Sequence, residues 1–204
     1  MSEPRTIATE AVEVVPGVWH WTVHDERIDF VSDSYAVASD EGVVLIDPLP
    51  LDEEALRGLG AVTAICLSCG SHQRSAWRLR RELGVPVHAP ALAREIDEEP
   101  DVRYGDGDRL PGALRAVFTP GAGTTQHTLV RAGDPAIAVC PDLLVRPEGK
   151  GGLRRVEDYD AELAGRSIET LLELEFSVLC LTHGGVVSED PKAAVRAVLE
   201  LDES

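Results

Sequence analysis

Four residues able to bind metal or transfer protons each follow an apolar segment typical of a buried strand. They are Cys69 and His72, close together in the chain, and the more distant Asp142 and His183. Thiolate, imidazole and carboxylate are the donors that zinc prefers in proteins. If the fold brings these residues together, they offer a ligand set for a single zinc ion.

The cysteine pattern allows a second kind of chemistry. Cys69 precedes a predicted helix, whose dipole lowers a thiol pKa, and His72 lies three residues further on as a possible base. Cys66 and Cys69 form one C-x-x-C, but a structural zinc site needs a second ligand pair, which the sequence lacks. The alternative is that Cys66 and Cys180 are small apolar residues of buried strands and that the cysteines remain thiols.

The elements that must position these residues alternate between strands and helices. Strands are predicted at 11–15, 17–22, 33–39, 42–47, 61–68, 86–88, 107–110, 114–119, 127–131, 135–140 and 177–182. Helices are predicted after Pro50, at 72–83 with Ser71 as N-cap, near 91–97, at 159–174, and from Asp190-Pro191 onward. β-rich halves with helices outside predict a layered α/β protein, with residues 1–204 forming a single domain.

Charge and composition exclude several classes of partner. The chain has a formal charge of −17, which disfavours nucleic acid and anionic membrane surfaces. No apolar run approaches the roughly 18 residues that span a bilayer, and the first residues do not resemble a signal peptide, so we expect a cytoplasmic protein. The acidic, lysine-poor composition fits either GC-rich coding or a halophilic source.

Six phrases of the sequence, in this order, resemble the metallo-β-lactamase superfamily from about Val15 to Leu201. They are DSYAVASDEGVVLIDP (33–48), AVTAICLS (61–68), AWRLRRELGVPVHAP (76–90), GDRLPGALRAVFTPG (107–121), AIAVCPDLLV (136–145) and SVLCLTHGG (177–185). The resemblance implies a four-layer αβ/βα sandwich. It also implies a metal site in loops at one end of the sandwich.

The resemblance further implies seven metal-ligand positions, most of which carry other residues in this chain. A His-x-His-x-Asp-His stretch falls on Cys69, Ser71, Gln73 and Arg74, a later histidine on Ala122 or Gly123, and the last two ligands on Asp142 and His183. Two of the seven positions therefore keep a family ligand. Arg74 stays protonated and repels a dication. The sequence therefore predicts that the two-metal site is lost.

Two functions follow from this loss. The first is a non-catalytic pseudoenzyme without a cofactor, whose cleft serves binding or assembly with a small molecule, another protein or a second copy of the chain. There we expect Arg74 or His183 within salt-bridge distance of Asp142; the alternative places Arg74 on a solvated helix. The second is a hydrolase of a small ester, thioester or lactam, with one zinc ion on Cys69, His72, Asp142 and His183.

Overall fold

Two β-sheets form the centre of the protein. The computed structural model describes residues 3–147, 151–156 and 160–202. The strands of this part of the chain are β1 Val12–Val15, β2 Val18–Asp25, β3 Phe30–Ser39, β4 Gly42–Ile46, β5 Val62–Cys66, β6 Val87–Pro90, β7 Val102–Tyr104, β8 Arg109–Leu110, β9 Leu114–Phe118, β10 His127–Arg131, β11 Ile137–Cys140, β12 Leu144–Val145, β13 Arg154–Arg155, β14 Val178–Leu181 and β15 Gly185–Val187. The helices are α1 Glu53–Gly58, α2 Ala76–Leu83, α3 Ala161–Glu173 and α4 Pro191–Asp202.

The first sheet has the strand order β1 to β7, antiparallel as far as β4 and parallel from β4 to β7. The second has the order β15-β14-β11-β10-β9-β8, with β11 and β14 parallel. β12 and β13 form a separate pair. In each sheet, the loops that follow the parallel strands carry the polar residues described below, which is where ligands of α/β proteins commonly bind.

Side chains that alternate along a strand fill two different layers of the core. Val44 and Ile46 of β4 pack between the two sheets, whereas Val43 and Leu45 face the helices. The side chains of β11 and β14 likewise alternate between the space between the sheets and the second helix layer. Because both faces of these strands are buried, their sequences are continuous apolar runs rather than alternating patterns.

Helices cover the outer face of each sheet. Leu56 of α1 and Trp77 of α2 pack on the first sheet, and Ile168 of α3 and Val195 of α4 pack on the second. The layers therefore run helix, sheet, sheet, helix, which confirms the predicted αβ/βα sandwich. No helix within the described residues has the length and apolar character needed to cross a membrane.

Local signals in the sequence located several helix ends correctly. Asp52 accepts hydrogen bonds from two backbone amides of α1, and Asp190 does the same for one amide of α4. Gly84 ends α2 in the left-handed conformation, at φ 68°. All four cysteines are free thiols, as predicted, and all four are buried, including Cys66 and Cys180, for which burial was expected.

Two helix predictions were wrong, and both errors lie beside the polar loops. Residues 91–97 form turns, because their polar backbone groups bond across the fold to Gln73 and Arg103 instead of to each other. Helix α2 begins at Ala76 rather than at residue 72. Arg74 has φ 41°, which no helix accommodates, and the N-cap is Ser75 instead of Ser71.

Candidate metal centre

A cavity of about 490 Å³ opens at the end of the sandwich where β5 and β11 finish. Cys69 lies in the loop after β5, Asp142 lies in the loop after β11, and both line this cavity together with Gln126. His183, in the turn from β14 to β15, completes the polar cluster on the other side and is buried.

Three potential metal donors converge beside this cavity, and two of them line it. A sulfur of Cys69, a ring nitrogen of His72 and a carboxylate oxygen of Asp142 all lie within 4.8 Å of one another. Cys69 and His72 are buried, and Asp142 is partly buried. His183 lies outside this group, although the sequence predicted it as a fourth zinc ligand.

The ring of His72 lies between two carboxylates. Its Nδ1 is 3.1 Å from Oδ2 of Asp47, and its Nε2 is 3.1 Å from Oδ1 of Asp142. Asp47 is itself held by the backbone amide of Ser68, at 2.7 Å, and by the hydroxyl group of the same residue. A carboxylate on Nδ1 fixes the orientation of an imidazole and raises the basicity of Nε2, as in carboxylate–histidine–metal arrangements.

His183 is oriented by a backbone carbonyl. Its Nδ1 lies 3.0 Å from the oxygen of Val31, which can only accept a hydrogen bond, so Nδ1 carries a proton. Its Nε2 then faces Asp142, at 3.3 Å from Oδ1. The expectation that Arg74 or His183 lies within salt-bridge distance of Asp142 is therefore met by His183.

Oxygen Oδ1 of Asp142 lacks a hydrogen-bond partner among the described residues, although it is buried. Nε2 of His72 and Nε2 of His183 come within ion-pair distance of it, at 3.1 and 3.3 Å. A buried carboxylate oxygen without a partner is costly. A cation at the point where the donors converge removes that cost, so the donor set fits a transition-metal ion.

The charges of this cluster favour its ionised forms. Burial alone raises the pKa of Asp142, but attraction to His72 and His183 outweighs burial and holds that pKa well below its usual range. Burial lowers the pKa of His72, but the negative groups around it, chiefly Asp142 and Cys69, raise that pKa well above its usual value. An anionic Asp142 is a competent metal ligand, whereas His72 can bind a metal only when an ion displaces the proton of its Nε2.

Arg74 is buried and points away from Asp142. Its Nη1 donates to the backbone oxygens of Asp33, at 2.6 Å, and Asp47, at 3.0 Å, and lies 3.4 Å from Oγ of Ser34. The alternative that it lies on a solvated helix is wrong, because Arg74 precedes α2 and is only 5% exposed. Its guanidinium group therefore joins β3 to the loop after β4.

Two further positions of the family motif lie outside the cluster. Ser71 is exposed, and its Oγ contacts the sulfur of Cys69 at 3.1 Å. Gln73 is turned toward the 91–97 loop, where its Oε1 accepts hydrogen bonds from Trp77 Nε1 and from the amide of Asp97. Because both nitrogens of His72 face carboxylates while the Cys69 thiol faces Ser71, a Cys69–His72 catalytic dyad does not form.

Sequence reasoning missed one residue of the site, Gln126. Its Nε2 donates to Oδ2 of Asp142 at 3.0 Å, and its side chain is only 2% exposed. The neighbouring His127, by contrast, packs its ring between Tyr104 and Phe118 and binds the backbone oxygen of Thr125. The sequence offered no signal for Gln126, since glutamine is an uncommon metal-site residue.

A second feature that the sequence did not reveal joins the two sheets beside His183. Oδ2 of Asp33 accepts hydrogen bonds from the amides of Gly184 and Gly185, at 2.8 and 3.0 Å, and its Oδ1 lies 2.6 Å from Nε2 of His20. The amide of Asp33 also donates to the oxygen of Thr182. Burial raises the pKa of the Asp33 carboxyl group. The bonds of that group to His20, Gly184 and Gly185 outweigh burial and hold the pKa below its usual value.

Comparisons with known proteins agree with this architecture. No family model and no curated protein sequence matches the chain. Solved structures do match it: TMB-1 superposes with a TM-score of 0.75 at 14% identity, covering 98% of this chain and 100% of its own. The chain has the metallo-β-lactamase fold.

Two other solved structures with the metallo-β-lactamase fold also superpose on this chain. The metallo-beta-lactamase from Pontibacter korlensis has a TM-score of 0.73 at 19% identity, covering 94% of this chain and 98% of its own. An archaeal metallo-beta-lactamase superfamily protein from Sulfolobus tokodaii has a TM-score of 0.70 at 14% identity, covering 91% and 86%. At such identities the likeness concerns the fold, so function must be argued from the site itself.

Proposed function

We propose that this protein is a hydrolase that uses a single transition-metal ion, held by Cys69, His72 and Asp142. Of the two functions that the sequence left open, this one is favoured by a single observation. Three donors of different chemistry converge within 4.8 Å, and one of them, Oδ1 of Asp142, is buried without a hydrogen-bond partner. Three protein donors with one open position are typical of catalytic zinc sites.

Each residue has a distinct part in this proposal. Cys69 and Asp142 supply negative charge to the ion, and His72 supplies its Nε2 while Asp47 holds the opposite side of the ring. When bound, the ion acts as a Lewis acid that polarises the carbonyl oxygen of a substrate. His183, beside Asp142 and oriented by a backbone carbonyl, is positioned to transfer a proton at Nε2.

The cavity sets the size of the substrate. A volume of about 490 Å³ is in the range of small-molecule sites. A small ester, thioester or lactam supplies the carbonyl group that this chemistry needs. The charge of −17 disfavours nucleic-acid substrates and anionic membranes.

Metal content tests the proposal directly. The full chain, purified without chelator, is analysed for transition metals by mass spectrometry and assayed with nitrophenyl esters and thioesters. We expect one ion per chain, and we expect Cys69→Ala to lose both metal and hydrolysis. Cys180→Ala is the matched control, because that buried thiol lies in the core away from the cluster. A wild-type protein that neither retains nor takes up a transition metal would refute the proposal.

A second candidate function is a non-catalytic binding protein, favoured by the position of His72. With a carboxylate 3.1 Å from each ring nitrogen, a doubly protonated imidazole supplies the positive charge that an ion supplies in the first candidate. The cleft then serves a small molecule, a protein partner or a second copy of the chain. Under this candidate, chelator leaves the melting temperature unchanged, whereas His72→Ala lowers it strongly.

A further inference from the structure

Gln126 is an unusual residue at the wall of the proposed metal site. It comes from the loop after Thr119 and is 2% exposed, and it lines the same cavity as Cys69 and Asp142. Its side chain is therefore held inside the protein, next to Asp142.

The orientation of the Gln126 amide is fixed by its neighbour. Oδ2 of Asp142 lies 3.0 Å from one end of the amide, and a carboxylate oxygen can only accept a hydrogen bond. The nitrogen of the amide must therefore face Asp142. The other end is then necessarily the carbonyl oxygen Oε1, an acceptor.

Both acceptor oxygens of this hydrogen-bonded pair lack a partner. Oε1 of Gln126 and Oδ1 of Asp142 are each buried without a hydrogen-bond donor among the described residues. Leaving two buried acceptors without hydrogen-bond donors on adjacent side chains is costly for each of them. A single cation bound by both oxygens would satisfy the two at once.

We propose that Oε1 of Gln126 is a fourth protein donor to the ion held by Cys69, His72 and Asp142. This inference rests on the proposed metal site. Glutamine oxygen is known as a weak ligand of transition metals beside thiolate and imidazole. As the neutral donor of the set, it would be the one whose place a substrate oxygen could take.

Substitutions of Gln126 distinguish a metal ligand from a residue that only orients Asp142 through a hydrogen bond. Gln126→Leu and Gln126→Glu both remove the N–H group that binds Asp142, but only Gln126→Glu keeps an oxygen. Metal-free protein of each variant is titrated with Zn²⁺ against a competing chelator, and the Co²⁺ forms are compared by visible absorption. We expect Gln126→Leu to bind Zn²⁺ about 10-fold or more weakly, whereas Gln126→Glu binds at least as tightly as wild type.

A double-mutant cycle of Gln126→Leu with Asp142→Ala separates direct metal binding by Gln126 from an effect exerted through Asp142. In that background the hydrogen bond to residue 142 no longer exists, so a residue acting only through Asp142 has no further effect. Cd²⁺, followed by the ultraviolet absorption of its bond to the Cys69 thiolate, keeps binding measurable in the weakened variants. We expect Gln126→Leu to weaken Cd²⁺ binding in both backgrounds.

The outcomes distinguish this inference from the proposed function. If wild-type protein binds no metal, the proposed metal site itself fails. If wild type binds metal but Gln126→Leu and Gln126→Glu bind it equally well, or equally poorly, Gln126 is not a donor while the site stands. Loss of the Gln126→Leu effect in the Asp142→Ala background likewise overturns the inference, since Gln126 then acts only through Asp142.

Discussion

Replacing Arg74 tests the role of a buried guanidinium that the sequence did not reveal. Its Nη1 makes two well-placed hydrogen bonds to backbone oxygens, those of Asp33 and Asp47. Hydrogen bonds from charged groups contribute about 1.5–3 kcal/mol each, and the lower value for two bonds is about 3 kcal/mol. We therefore expect Arg74→Ala to lower the free energy of unfolding by about 3 kcal/mol.

A second substitution of Arg74 separates the contribution of its side-chain hydrogen bonds from the cost of its backbone conformation. Arg74 has φ 41°, in the left-handed region that costs a non-glycine residue about 1–2 kcal/mol. Arg74→Gly removes the same hydrogen bonds but relieves this cost, so it should be more stable than Arg74→Ala by about 1 kcal/mol.

Urea denaturation of the metal-free protein, followed by circular dichroism, measures both effects. Removing metal ensures that altered binding at the adjacent His72 does not contribute to the measured stability. A loss below about 0.5 kcal/mol for Arg74→Ala, the value typical of an exposed arginine, would refute the reasoning. So would an Arg74→Gly variant that is less stable than Arg74→Ala.

Three further predictions concern the fold around the site. The pKa of Asp33 is lowered in the folded state, so its ionised form contributes stability above the usual pKa of an aspartate and loses it below. The stability difference between wild type and Asp33→Asn should therefore be largest near about pH 6 and shrink toward about pH 3, in denaturation measured at each pH. Gly121→Ala should lower the free energy of unfolding by at least about 1 kcal/mol more than Gly133→Ala. The two glycines have similar φ, but only a Cβ atom at position 121 would meet Ala164, at 2.5 Å. Equal losses of stability in the two variants would contradict this. Leu179→Ala leaves a void beneath the second helix layer and should lower the free energy of unfolding by about 2–5 kcal/mol, whereas a loss under 1 kcal/mol would show that the layer collapses into the void.

The layers of the fold could be predicted because burial leaves a direct trace in sequence. Strands covered on both faces, such as Ile137–Cys140 and Val178–Leu181, are apolar throughout. Helix ends at Asp52 and Gly84 follow from local backbone chemistry. These signals depend on residues close together in the chain. They needed no knowledge of the tertiary structure.

The candidate site could be predicted only in part, because side-chain direction depends on distant partners. Cys69, His72 and Asp142 were identified as donors from their chemistry, and the fold does bring them together. The conformation of Arg74 and the reach of Gln126 were not predictable. The first depends on carbonyl groups of β3 and of the loop after β4, and the second on a carboxylate sixteen residues away.

The hydrogen bonds between Asp33 and the turn containing His183 determine how the cleft can open. Asp33 belongs to the first sheet, and its bonds to Thr182, Gly184 and Gly185 fasten the second sheet to it along one rim of the cleft. That rim cannot part without breaking all of these bonds together, so the amide hydrogens of the two glycines should exchange with solvent as slowly as those of the core strands.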